Sequence, residues 1–319
     1  MTIEKIYDGL YVHKGAQLFS NDNLYIFDVD WTIIRPIKNR FFKDSNDYAF
    51  LPNRIKYLKY IHTLGYKIIF ITNQGYTGKK LNTAIDRLNN MLYDIFNQIP
   101  GIDLWCLVGT KDNFKKPSPN IWNYLLDVSN LSLNDFFGKN NAIFIGDAGG
   151  EIGDYSDNDI IFAKNIGVSY NRPENIFPQN QVSIPENQQC MLIFVGMQGS
   201  GKSTFYHKNL EHKGWVHANQ DILKTEKKVL KTIETALSGG QSVAVDATNP
   251  TVAKRKLYIN LAIKYQIPTL IVYFVRNGYE YNKLREKPVP TIAYSMYFKN
   301  LEEPTSETDC VPVIQIEKI

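Results

Sequence analysis

The chain has little cysteine: Cys106, Cys190 and Cys310 are its three, odd in number and with no C-x-x-C spacing. That excludes a disulfide scaffold and a zinc-ribbon type of site, and it reads as reduced thiols in an intracellular protein. Long apolar runs are also missing. No stretch approaches the roughly 18 residues of a membrane span, so no membrane partner is expected. The start, "MTIEKIYDGLYVHKG", has polar residues every few positions and no secretory apolar core. There is no internal repeat and no low-complexity tract. Net charge is nearly absent from the first 186 residues, where 19 Lys and Arg stand against 20 Asp and Glu. From Asn187 onward the balance is 17 against 12, a basic excess that suits a polyanion but equally a solubilising surface.

What is present is length and rhythm. The 319 residues suffice for two domains. "LYIFD", "YKIIFIT", "DLWCLVGT" and "NAIFIGD" read as strands, with helices in "NRIKYLKYIHTLG", "TAIDRLNNMLYDIFNQ" and "SPNIWNYLLDVS" between them. "NRPENIFPQNQVSIPENQQ", from about Asn171 to Gln189, is rich in Asn, Gln and Pro and reads as a linker or domain-edge loop. After it come strands "CMLIFVG", "SVAVDAT" and "TLIVYFV", and helices "KSTFYHKNLEHK", "TVAKRKLYINLAIKY" and "IAYSMYFKNL". Strand-helix alternation predicts two Rossmann-like α/β domains with mainly parallel sheets, over residues 1–180 and 187–319. Ligands in such sheets bind beyond the carboxyl ends of the strands.

At those ends the first half places Asp28 and Asp30, Thr72 and Asp147. One of two neighbouring carboxylates can attack phosphorus, and the other can protonate a leaving alcohol and later activate water. Mg²⁺ would neutralise the crowding, with Asp147 as a further oxygen ligand. Thr72 can donate to a phosphoryl oxygen, and Lys116, before Pro117, can meet the remaining negative charge. Each piece alone arises easily by chance; the set in this order does not.

"DVDWT", "IIFITNQ", "KKPSPNIW" and "IFIGDAGG" resemble the four motifs of the haloacid-dehalogenase-like phosphatases. With "ITNQGYTGKKL" and "DYSDNDIIFAKNIGV", the chain further resembles the phosphatase domain of the bifunctional polynucleotide kinase 3′-phosphatases. The resemblance implies Asp28 as nucleophile and Asp30 as general acid and base, with the Asp30 carbonyl also on the metal. It implies Asp154 and Asp159 as supports of the metal site. Trp31 departs from it, standing where glycine is usual; its ring reads as local packing, or else as a lid or base-stacking surface. The segment between Gly150 and Asp154 is short against animal relatives.

"GMQGSGKS" fits G-x-x-x-x-G-K-[ST] and lies between a strand and a helix, the context of a P-loop. Gly196, Gly199, Ser200, Gly201 and Thr204 then belong to the phosphate cradle of ATP, Lys202 reaches the β and γ oxygens, and Ser203 holds Mg²⁺. Asp221 follows a short strand, within plausible reach of the γ-phosphate, and Asp246, Thr248 and Asn249 end another. These resemble the kinase domain of the same family, where Asp221 maps onto the base and Arg285, in the lid-like "YNKLREKPVP", onto the arginine that stabilises the transferring phosphoryl group. Gln220 and Tyr281 replace two arginines of the pattern. Arg276 reads as a surface cation, Asp246 as either a site residue or a core-ordering one, and His207, His212 and His217 as surface or packing residues. The basic "KRK" at 254–256 reads as a backbone-contacting patch or a solvated face.

The resemblance implies removal of 3′-phosphates and ATP-dependent phosphorylation of 5′-hydroxyls on DNA or RNA ends, DNA favoured, with a ligase acting next. It covers about Asn23 to Glu303 and includes no forkhead-associated domain, so phosphopeptide docking is not implied. RNA or transfer-RNA end healing is the related alternative. A sugar-phosphate phosphatase fused to a small-molecule kinase, and an end-binding module with decayed sites, are alternatives of other classes.

Overall fold

The computed structural model describes residues 2–37, 41–135, 141–183 and 188–317. The chain divides into two compact units, with the break between Pro178 and Gln179.

The first unit opens on an antiparallel hairpin, β1 (Glu4–Tyr7) and β2 (Leu10–His13), followed by β3 (Leu24–Phe27). A two-stranded ribbon, β4 (Ile34–Arg35) and β5 (Ala49–Phe50), precedes α1 (Arg54–Thr63) and β6 (Lys67–Asn73). Then come α2 (Gly78–Gln98), β7 (Leu104–Gly109), α3 (Asn120–Val128), β8 (Ala142–Ile145), α4 (Asn158–Ile166), β9 (Ser169–Asn171) and α5 (Pro173–Ile176). The sheet order is β1-β2-β7-β6-β3-β8-β9, parallel from β7 to β9.

Alternation along the strands fills both faces. Ile68 and Phe70 pack with Leu88, Met91 and Ile95 of α2 on one side. Ile69 and Ile71 pack with Trp122, Leu125 and Phe162 on the other. The hairpin was not legible beforehand: its strands are four residues each, and β1 is mostly exposed.

The second unit has β10 (Met191–Val195), α6 (Lys202–Asn209), β11 (Val216–Asn219), α7 (Gln220–Leu223), α8 (Glu226–Ser238), β12 (Val243–Asp246) and α9 (Val252–Lys264). It closes with β13 (Thr269–Phe274), α10 (Tyr279–Lys283), α11 (Thr291–Asn300), α12 (Ser306–Asp309) and β14 (Val313–Ile316). Its sheet, β11-β12-β10-β13-β14, is parallel throughout. α8 carries a buried helical stripe of Val229, Ile233, Ala236 and Leu237.

Both sheets reverse direction about their first central strand. From β3 the chain goes to β6 and β7 on one side and to β8 and β9 on the other. β10 is flanked in the same way by β12 and β13. Each reversal opens a crevice at the strand's carboxyl end, and Asp28 and the P-loop follow directly.

Two expectations need correction. The stretch from Asn171 is not all linker: β9 pairs with β8, and Phe177 is buried against Phe27 and under Arg54. Its Asn and Pro residues end a strand and start a short helix, and residues 184–187 lie outside the described residues. The helix from Lys202 ends at Asn209 rather than Lys213, because Glu211–Lys213 turns as a 3₁₀ helix closed by Gly214 at φ 71. Among the described residues no helix is long and apolar enough to cross a membrane.

Candidate active sites

In the first unit, four strand ends meet. Asp28 follows β3, Thr72 is the last residue but one of β6, and Asp147 follows β8. Lys116 follows β7 and is threaded into the centre by Asn73, which accepts from the Lys116 N–H (2.7 Å) and donates to its carbonyl (2.9 Å). Lys116 Nζ then donates to Asp28 Oδ1 at 2.5 Å and to Asp159 Oδ1 at 2.7 Å. Oxygens of Asp28, Asp147 and Asp159 lie within 4.8 Å of one another. Asp159 comes from the start of α4, and only glycine at 146 admits it: a Cβ there would stand 2.1 Å from Asp159 Oδ2.

Burial and the neighbouring carboxylates push the Asp28 carboxyl up to about 7, against the pull of Lys116. The same crowding holds Asp147 well above the usual carboxylate range. Burial alone would lower the Lys116 ammonium, but Asp159 and Asp28 outweigh it and push it up. Three acids around one ammonium form a hard oxygen donor set short of positive charge, which fits a divalent cation such as Mg²⁺.

Asp30 stands apart from that cluster. Its side chain, 29% exposed, accepts from Gln74 Nε2 at 2.9 Å and faces Arg87 Nη2 at 3.4 Å. Gln74 also donates to Thr72 Oγ1 at 3.2 Å. Thus the three residues after β6's apolar run divide the work: Thr72 offers a hydroxyl, Asn73 seats Lys116, and Gln74 holds Asp30. Neither Gln74 nor Arg87 was singled out from sequence. Asp154 is not in the cluster. It pairs in two places with Arg172 (2.7 and 3.0 Å) and accepts from the Gly149 and Glu151 amides, bracing the loop beside the site.

Trp31 takes φ 64, in the left-handed region, inside the turn where Thr32 and Ile33 donate to the Val29 carbonyl. The position asks for glycine on backbone grounds, so a partly exposed indole is held there at a cost in strain.

In the second unit, Gly199 takes φ 76 and lies flat against Gly278, with its would-be Cβ 2.2 Å from the Gly278 carbonyl. Gly201 takes φ 96 and caps α6. These two conformations turn the loop so that the helix N-terminus faces its hollow. Lys202, buried, donates to the Gly196 and Met197 carbonyls at 2.9 and 2.7 Å, and burial pulls its ammonium down to about 8. Ser200 is fully buried and Thr204 exposed.

Asp246, at the end of β12, is the hub. Its Oδ2 accepts from Ser203 Oγ (2.7 Å), His217 Nε2 (2.9 Å) and Asn219 Nδ2 (3.0 Å). Burial pushes this carboxyl up, but His217, Lys202 and Ser203 together hold it below the usual value. Asn219 also caps α7 by accepting from the Asp221 and Ile222 amides, which sets Asp221 exposed at the crevice edge. Asp221 and Arg285 both bear electrostatically on Lys202. Arg285 is exposed, on a loop that Asn282 staples to Val289 through two hydrogen bonds of 2.9 and 3.0 Å. Arg276 lies over the Tyr281 ring at 3.9 Å and donates to its hydroxyl, so it is not a free surface cation.

The histidines divide between packing and surface: His217 stacks on Tyr206 at 3.7 Å and also bonds to Asp246, whereas His207 pairs with exposed Glu211 and His212 is exposed. One further sequence reading is corrected here. Arg255 of "KRK" cannot meet a nucleic-acid backbone. It is completely buried, bonded to Asp309 at 2.7 and 2.9 Å and to the Asn249 and Pro250 carbonyls.

Fold and sites together define a two-domain α/β protein, with a lysine-and-carboxylate centre at the strand ends of the first domain and a phosphate-loop geometry in the second. A family model described as polynucleotide kinase 3 phosphatase matches residues 23–177, and an AAA domain model matches 191–278. The bifunctional polynucleotide phosphatase/kinase of Schizosaccharomyces pombe is 30% identical over 337 residues, covering 95% of this chain and 81% of the relative. A protein of Acanthamoeba polyphaga mimivirus, provisionally described in the same terms, is 29% identical over 76% of this chain and 73% of its own. The polynucleotide 3′-phosphatase ZDP of Arabidopsis thaliana is 25% identical over 54% of this chain and 26% of its own. The chain belongs to the bifunctional polynucleotide phosphatase/kinase family.

Proposed function

We propose that the first domain hydrolyses 3′-phosphates on nucleic-acid ends and the second phosphorylates 5′-hydroxyls from ATP, so that a ligase can join them, with DNA as the favoured substrate. The observation that carries the phosphatase reading is the separation of two nearby carboxylates into two environments. Asp28 is buried against Lys116 among other acids; Asp30 is partly exposed and held by neutral and cationic donors.

In the first step an Asp28 oxygen attacks phosphorus, the bond to O3′ breaks, and the Asp30 carboxyl gives its proton to the departing oxygen. In the second, water gives its proton to Asp30 and its oxygen attacks the same phosphorus. The bond to Asp28 then breaks, returning the carboxylate and inorganic phosphate. Lys116 and Thr72 face the phosphoryl oxygens. Asp28, Asp147 and the Asp30 carbonyl would hold Mg²⁺, supported by Asp159, and the ion would supply charge neutralisation of the phosphoryl group.

In the kinase, Lys202 and the loop amides receive the nucleotide phosphates, and Ser203 with Asp246 would hold the accompanying Mg²⁺. Asp221 takes the proton of the 5′-hydroxyl as its oxygen attacks the γ-phosphorus, and Arg285 meets the charge on the transferring group.

The test uses DNA and RNA oligonucleotides carrying a 3′-phosphate or a 5′-hydroxyl. Asp28→Asn abolishes phosphate release and leaves 5′-labelling nearly intact; Lys202→Ala does the reverse. Loss of both activities from either change in folded protein defeats the two-site reading. Preference for RNA moves the substrate class to RNA end healing.

A further inference from the structure

Arg87 is an unexplained expense. It lies in α2 among Leu88, Met91 and Leu92, and its side chain is 2% exposed. A buried guanidinium costs several kcal/mol unless it is paired, and nothing in the apolar packing asks for one. Its ion-pair partner among the described residues is Asp30, at 3.4 Å. Nη2 also donates to Gln74 Oε1 at 3.2 Å, and Gln74 Nε2 donates onward to Asp30 Oδ2 at 2.9 Å. The Phe42 ring closes the other side of the guanidinium at 3.6 Å. Two further residues of the same helix hold that side: Asn90 donates to the Ser45 carbonyl at 3.1 Å, and Asp94 accepts from the Tyr48 hydroxyl at 2.5 Å.

Asp30 follows Asp28 by two residues, and the two carboxylates repel. Left alone, the Asp30 side chain has several rotamers, and only some aim at a leaving oxygen. We propose that Arg87, acting with Gln74, is the positioning residue that fixes the Asp30 carboxyl for proton transfer. Arg87 touches neither substrate nor phosphorus. It closes a triangle with Gln74 and Asp30, and the Phe42 ring lies against the guanidinium. This inference rests on the two-step reading above.

The consequence is specific. Displacing a general acid by about 1 Å costs on the order of 10²-fold. The loss falls on steps that need the proton: departure of an alkoxide in step one, and deprotonation of water in step two. A nitrophenolate departs without a proton, so its release in the first turnover is spared while the second step still slows.

The experiment compares a 3′-phosphorylated oligonucleotide with 4-nitrophenyl phosphate for Arg87→Met, which keeps the buried stem. On the oligonucleotide, kcat falls about 10²-fold with KM little changed. On the nitrophenyl ester, the first turnover stays near the wild-type rate, later turnovers slow, and acid-quenched phosphoprotein accumulates. The amplitude of that first turnover counts folded active sites, so a merely destabilised variant is recognised by low amplitude with an unchanged first-turnover rate on both substrates. Arg87→Lys, which keeps the charge, recovers part of the loss. Gln74→Met carries the same test if Arg87→Met does not fold. At full first-turnover amplitude, an equal loss of first-turnover rate on both substrates, or wild-type rates on both, overturns the inference. If wild-type protein itself yields no phosphoprotein that depends on Asp28, it is the two-step reading that falls instead.

Discussion

Asp309→Asn removes one charge from a completely buried ion pair and keeps the shape of the side chain. Arg255 and Asp309 are both fully enclosed, joined by two hydrogen bonds of 2.7 and 2.9 Å. The variant leaves a guanidinium in the interior with no carboxylate. Breaking such a pair from one side costs about 3–5 kcal/mol, a large share of the roughly 5–15 kcal/mol that stabilises a domain. Arg255 also carries the Asn249 and Pro250 carbonyls at 3.2 and 3.0 Å, three and four residues beyond Asp246. The cost therefore falls on the kinase domain and next to its site. At about 2–4 °C per kcal/mol for a domain near this size, the transition drops by on the order of 10–15 °C. Calorimetry resolves it, the kinase transition being the one that ATP moves. The double variant Arg255→Met/Asp309→Leu should recover only part, because two carbonyls lose their donor at roughly 1–3 kcal/mol each. A shift in Asp309→Asn worth under about 1 kcal/mol refutes the reasoning, since it would mean that water reaches the pair.

Three other outcomes are expected. Trp31→Gly and Trp31→Ala both remove the indole but differ in a Cβ held at φ 64, so the glycine variant should be more stable by about 1 kcal/mol in urea unfolding; a more stable alanine variant would show that the turn relaxes. With divalent cations chelated, the folded phosphatase domain keeps a proton on Asp28 up to about pH 7 that the unfolded chain loses near 3.8, so its urea midpoint should fall as pH rises through that window, and the slope should weaken in Asp28→Asn. Arg285→Ala should lower kinase turnover by roughly 10² while ATP affinity changes little, checked by steady-state kinetics beside direct nucleotide binding; near-normal turnover would move the role to Arg276 or Lys283.

What a short, continuous segment dictates was legible along the chain. An apolar strand ending in Asp28 or in Gly196 announces itself, because strand burial and tight-turn chemistry are written within ten residues. The same holds for the order of the two domains and for Lys202 opening a helix. Tertiary structure decided what distant strand ends bring together. Gln74 and Arg87 reach Asp30 from 44 and 57 positions away, Lys116 meets Asp159 across 43, and His217 meets Asp246 across 29. Arg255 looked like part of a basic surface patch until Asp309, 54 residues on, enclosed it. Such pairs leave no periodic trace, because each contact is set by how parallel strands stack side by side and not by the spacing of residues along any one of them. A charge is read from the chain; whether it faces water or a buried partner is settled only once the sheets and helices have packed.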